Sequence, residues 1–188
     1  MAKAQKTTFT TSKGVAMYPH LNKPDFAFNT DGIFSVKLRM PAEAASGLVE
    51  TVKKIASDEF GKSATSARMP YTVDDETGDL LVLAKSKFKP KLIDSTGAMI
   101  AEPSAPTIYA GSTLKLAGTI FPYTAGGNKG VSLQLAGVQI VSLADPVGSS
   151  FEFEAEDGGY VSEANDNMPA SNDNDGSGEA TEGEAYNF

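Results

Sequence analysis

Along residues 32–40, GIFSVKLRM, apolar and polar side chains alternate with period two. Phe34, Val36, Leu38 and Met40 fall on one side, and Ile33, Ser35, Lys37 and Arg39 on the other. That spacing predicts a half-buried strand. Directly after it, in PAEAASGLVETVKKIASDEFG (41–61), the period lengthens. Ala44, Leu48, Val52, Ile55 and Glu59 recur at helical spacing, with Ala45, Val49 and Ala56 beside them. One amphipathic helix is predicted there, opened by Pro41, closed by Gly61 and weakened by Gly47. The remaining patterns read as strands. GVAMYPHL (14–21) is short and broken by Pro19; residues 68–94 form a hairpin turning at 74–78, followed by one long strand through KSKFKPKL. GAMI (97–100) is a short return, and 111–124 with 129–144 make a terminal hairpin around 125–127. Five or six strands with one helix predict an all-β body with a single helix. A small, strongly curved five-stranded barrel suits that count, and a sandwich of short strands is the alternative.

The apolar pattern stops near residues 145–148. The boundary gives a folded body at 1–147 and a tail at 148–188. The stretch NDNMPASNDNDGSGEATEGEA has too little apolar surface to offset its ordering entropy and predicts disorder. Phe151 and Phe153 alternate with Glu152 and Glu154, enough for one short extra strand. Charge divides at the same place. Residues 1–144 hold all 16 Lys and Arg against 12 Asp and Glu, a formal +4, whereas 145–188 hold 12 acids and no base, a formal -12. The overall -8 therefore describes neither part. Tyr186 and Phe188 close the acidic stretch. Acidic charge for steering and a ring for anchoring predict a partner-docking element, with a merely solubilising tail as the plainer reading.

In the basic body, KSKFKPKL (85–92) sets Lys85, Lys87, Lys89 and Lys91 at every second position. In an extended strand all four would leave from one face, about 6.6 Å apart. Lys37 and Arg39 repeat this on another strand, Lys115 on a third, and Lys129 follows the terminal turn. Such a track fits a polyanion, or equally a sheet edge protected by lysine. Nearby rings tip the balance. Cations for phosphates and rings for bases are what a sequence-tolerant single-strand site requires. Phe34 and Phe88 suit the core better than a stacking role, Phe121 is evenly balanced, and Tyr123 beside Pro122 suits stacking. Phe88 is nevertheless kept among the expected DNA contacts.

Enzyme chemistry finds little support. His20 is the only histidine and there is no cysteine, so multi-histidine relays, thiolate nucleophiles and disulfides are excluded. FGKS (60–63) lacks the first glycine of a phosphate-binding loop and ends a helix instead of starting one. SNDNDGSGEATE (171–182) approaches a calcium loop, but Ser171 stands where aspartate is required and no helices flank it. Asp74, Asp75 and Glu76 read as a turn. No metal or cofactor is expected. The sequence has no signal-peptide core and no apolar run long enough to span a bilayer, so no membrane partner is expected.

The order of the pieces resembles one family. YPHLNKPD (18–25), GIFSVKLRMP (32–41) leading into a helix, TLKLAGTIFPYTAGGNKGVSLQLAGVQIVSLA (113–144) and an acidic tail ending in Phe188 are similar to the tailed-phage single-stranded DNA-binding proteins, the T7-type among them. The resemblance implies an OB-fold, binding of single-stranded DNA in phage replication, recombination and repair, and the cytoplasm of the infected bacterium as location. It also implies that the tail contacts replication proteins, DNA polymerase and primase-helicase among them, and competes with DNA for the basic groove. Pro122 and Tyr123 match the late-strand "PY" of the family. The tail is shorter and less dense than in the T7-type proteins and the body smaller, so homodimerisation stays open. The DNA contacts expected are Lys37, Arg39, Lys85, Lys87, Phe88, Lys89, Lys91, Lys115, Tyr123 and Lys129; the docking residues are Tyr186 and Phe188. The competing class is a non-enzymatic protein-interaction or virion assembly module with a β-sandwich body.

Overall fold

The structure is a computed structural model that describes residues 6–27 and 29–146. The expected tail elements, including the strand at 151–154, the near-match at 171–182, Tyr186 and Phe188, lie outside the described residues.

Eight strands and one α-helix are formed among the described residues: β1 (Thr7–Thr10), β2 (Gly14–Asp25), β3 (Ile33–Met40), α1 (Ala42–Phe60), β4 (Tyr71–Val73), β5 (Leu80–Ser86), β6 (Lys91–Ile93), β7 (Thr113–Ala125) and β8 (Asn128–Ser142). The protein is mostly β with a single helix, as the periodicity predicts. The strand count exceeds the five or six expected. β1 escaped notice because TTFT carries one buried side chain, Phe9, too few to show a period. β2 runs past Pro19, because a bulge between Met17 and His20 absorbs the residue that cannot join the ladder.

All eight strands belong to one sheet, so the alternative of two stacked sheets does not hold. Their pairings return on themselves: β2 with β3, β3 with β5, β5 with β8, β8 with β7, and β7 with β2. Only β5 and β8 run parallel within this ring. β7 and β8 are zipped from Thr113↔Ser142 to Ala125↔Asn128, whereas β5 meets β8 only at Ala84↔Leu133 and Lys85↔Gln134. β2 likewise meets β7 only at Gly14↔Leu114 and Val15↔Thr113. The ring is a long hairpin joined to a meander by two short seams. The hairpin turns at Gly126 and Gly127, both with positive φ (56° and 80°), the conformation that two-residue hairpin loops of this twist demand.

The core lies inside the ring. Val36, Leu38 and Met40 of β3 meet Val82 and Ala84 of β5, Leu114, Leu116 and Ile120 of β7, and Leu133, Leu135 and Val138 of β8. α1 adds Ala45, Val52 and Ala56, with Leu48, Val49 and Ile55 partly buried, and contacts β7 and β8; Ala44 and Glu59 of the expected stripe are exposed, so the buried face centres on the flanking residues Ala45 and Ala56 with Val52. Its start lacks a side-chain cap at Pro41; Gly61 ends it at φ 54°, donating its N–H to the Ser57 carbonyl. Buried polar groups are paired. Thr11 Oγ1 accepts from the Leu116 N–H at 2.9 Å, and Asn22 joins 106–108 by donating to the Pro106 carbonyl and accepting from the Ile108 N–H, both at 2.8 Å.

The predicted long lysine strand is corrected. β5 ends at Ser86, and the chain re-enters the sheet as β6 along the same flank of β8. Lys85 stands beside Gln134, and Lys91 beside Gly137. The chain thus takes six steps where β8 takes three. The surplus is thrown out as a finger holding Lys87, Phe88 and Lys89. Its base is pinned where the Ser86 hydroxyl accepts from the Phe88 N–H at 3.0 Å. The four lysines therefore form no straight row.

Candidate nucleic-acid interface

Strand alternation sends one side chain inward and the next outward. On the outward face, Ser35 of β3 stands beside Lys85 of β5, Lys85 beside Gln134 of β8, and Gln134 beside Thr119 of β7. One residue pair further along β7, Phe121 faces Ser132. Ile33, Lys85, Lys87, Phe121, Ser132 and Gln134 line a groove of about 360 Å³. A smaller hollow continues it past Ser35 and Leu83, sharing Ile33 and Lys85. Lys85 stands on the floor between the neutral polar side chains of Ser35 and Gln134, Lys87 adds a second cation, the exposed Phe121 ring lies at one end, and Asp25 borders the smaller hollow. Such a surface offers an anionic strand phosphate contacts and a stacking surface, with no dense set of base-edge donors to enforce a sequence.

The expected contacts divide by place. Lys85 lies at the centre of the groove with no ion-pair partner among the described residues. Lys37 is on the same outward face, its ammonium 5.9 Å from the ring centre of Tyr18. Arg39, further along β3, lies 4.0 Å from Asp79, and Lys87 at the finger lies 3.8 Å from Asp31. Exposed ion pairs of this kind contribute little and give way to a phosphate. Phe88, which suits the core by sequence, is instead 75 % exposed at the fingertip.

The remaining expected contacts are not brought into this groove. Lys89 pairs with Glu102 at 3.0 Å and, with Lys91, borders a separate apolar hollow over Leu92, Met99 and Ile100. Lys115 sits six residues before Phe121 on β7, about 20 Å away along the strand, opposite Gln139. Tyr123 lies over Gly130, where an added Cβ would come within 2.7 Å of its hydroxyl. Lys129 forms a second basic hollow at the hairpin tip with Arg68, Ser63 and Ser66.

Sequence reasoning passed over Tyr18, Arg68 and Gln134, and left Phe121 undecided. Alternation with buried Ile120 is the signal that turns Phe121 outward, and it was readable once the strand register was fixed. Arg68 reaches Lys129 through backbone pairing, its N–H donating to the Lys129 carbonyl at 2.9 Å, which no local pattern reveals. Among the described residues, two ionisable groups are displaced from their ordinary values. Burial raises the Tyr71 hydroxyl, and the Thr96 hydroxyl and backbone donors around the 94–98 turn lower the Asp94 carboxyl. Both lie away from the groove lining. The Asp74–Glu76 stretch is a turn, with Asp74 Oδ1 accepting from the Glu76 N–H at 3.0 Å. No cluster of three metal-ligating side chains occurs among the described residues, and no helix there is long and apolar enough to cross a membrane.

A ring of strands thus carries a basic, ring-bearing groove on its outer face. The chain belongs to the family of the single-stranded DNA-binding protein of Enterobacter phage Enc34, whose family model it matches over residues 8–168. Membership places it among non-enzymatic binding proteins of phages. Its fold is similar to that of gp2.5, a single-stranded DNA-binding protein encoded by bacteriophage T7, at 25 % identity and a TM-score of 0.63, covering 84 % of this chain and 99 % of that one. It is also similar in fold to the single-stranded DNA-binding protein of bacteriophage Enc34, at 17 % identity and a TM-score of 0.60, covering 76 % and 84 %. The same protein in complex with single-stranded DNA gives 19 % identity and a TM-score of 0.60, covering 75 % and 89 %. No curated protein matches the chain by sequence.

Proposed function

We propose that the chain binds single-stranded DNA without sequence preference along the outward groove of β3, β5, β8 and β7. The observation that carries this is Lys85, without an ion-pair partner among the described residues, between Ser35 and Gln134 on the floor of the groove, with Phe121 at one end and Lys37 on the same face. Lys87 and Phe88 reach the strand from the finger, and Arg39 extends the phosphate track along β3. Tyr123 and Lys129, with Arg68, serve a strand leaving past the hairpin tip. Lys89, Lys91 and Lys115 act at longer range, as part of the positive field. The closed run of pairings, parallel only between β5 and β8, supports reading residues 1–147 as a five-stranded OB-fold barrel with β1, β4 and β6 added outside it.

The tail, 148–188, is proposed to compete with DNA and to present Tyr186 and Phe188 to replication proteins such as a polymerase or primase-helicase. Support comes from the formal -12 after residue 144 against +4 before it. The setting is phage DNA replication, recombination and repair in the infected cell. The test is fluorescence anisotropy with labelled oligo-dT of about 30 nucleotides at two salt concentrations, beside a matched duplex. Salt-sensitive binding that favours the single strand is expected; equal or stronger duplex binding overturns the reading.

A further inference from the structure

Tyr18 is the one non-glycine residue with positive φ, 49°, among the described residues. It sits in the bulge of β2. Between Met17↔Lys37 and His20↔Ser35, β2 has Tyr18 and Pro19 where β3 has Val36 alone. Bulges that need a left-handed residue ordinarily take glycine, because a Cβ crowds the backbone there. Pro19 narrows the conformations open to Tyr18 further. The ring gains no core packing in return, being 69 % exposed. A strained residue whose side chain is left at the surface points to a role at that surface.

The bulge brings the ring over the outward face of β3. Lys37 Nζ lies 5.9 Å from its centre, a cation–π distance, and Ser35 and Lys85 follow across the same face. Tyr18 and Phe121 stand on strands at opposite sides of the groove. From β2 to β7 by way of β3, β5 and β8 is about 19 Å along the sheet. From this geometry we infer that Tyr18 is a second stacking platform, taking one base of the single strand while Lys37 takes the adjoining phosphate. The inference rests on the groove being the DNA site and extends that site beyond it, onto β2.

The test compares full-length protein with Tyr18→Gly and Tyr18→Trp, using oligo-dT of about 30 nucleotides. Tyr18→Gly removes the crowded Cβ, so it should melt at or above the wild-type temperature. Its affinity should fall about tenfold while the slope of log affinity against log salt stays the same, because a ring and not a charge is lost. The chain has no tryptophan, so Tyr18→Trp supplies a single reporter whose emission a stacked base should quench. Wild-type affinity in Tyr18→Gly, or unchanged emission from Tyr18→Trp at saturating DNA, overturns the inference and leaves the groove reading standing. Failure of the wild type to bind the oligonucleotide overturns both.

Discussion

At the scale of single residues, charge and volume act separately. Lys85→Ala should leave the fold intact, since the side chain is exposed at the groove. It should flatten the slope of log affinity against log salt by about 0.7, the share of one neutralised phosphate on a single strand; a salt titration of oligo-dT binding checks this. Lys115→Ala, placed away from the groove, should change that slope far less. Gly118 makes the opposite case. A Cβ there would land on the Gln134 carbonyl oxygen, where β7 and β8 shift register between Ala117 and Gly118. Gly118→Ala should cost about 3 kcal/mol in urea denaturation, the high end of what overpacking costs. Such a position has no mark in the sequence, since GTIF reads as an ordinary strand beginning. The alternation in β3 was legible, by contrast: Val36, Leu38 and Met40 are buried and Lys37 is exposed, as period two requires.

At the scale of elements, what is local was readable and what is long-range was not. The span of α1, the 74–78 turn, the short return at Met99 and the turn of the terminal hairpin all follow from local spacing. The finger does not. Its cause is the mismatch between the six steps from Lys85 to Lys91 and the three from Gln134 to Gly137, and that requires knowing that β5 and β6 share one flank of a strand 40 to 50 residues away. The alternating lysines therefore do not share one face: Lys85 and Lys87 line the groove, and Lys89 and Lys91 border a separate hollow. Because Phe88 packs on nothing that its loss would empty, Phe88→Ala should change stability by no more than about 0.5 kcal/mol. It should weaken oligo-dT binding about fivefold if the fingertip ring stacks. Leu38→Ala, wholly buried one strand away, should instead cost about 2–5 kcal/mol by the same denaturation assay.

At the scale of the whole molecule, the charge division, on the proposed competition of tail with DNA, predicts a response to salt. Ending the chain at residue 148 removes the acids at 152–184 and leaves the basic body. Affinity for oligo-dT should rise, and the gain should shrink as added salt screens the contest between tail and DNA; equal affinity at low salt would remove the tail from the account.

The two short seams carry a mechanical consequence. The hairpin of β7 and β8 and the meander of β2, β3 and β5 are each well knit, yet are fastened together at few points. One fastening, Lys85 beside Gln134, lies on the floor of the groove. In the proposed binding mode, a strand of DNA laid there would touch both halves at once and work as a clasp. Amide hydrogen exchange should reveal it: bound oligonucleotide should slow exchange around 84–85 and 133–134, where β5 meets β8, far more than in the rest of the β7–β8 ladder, which is already closed.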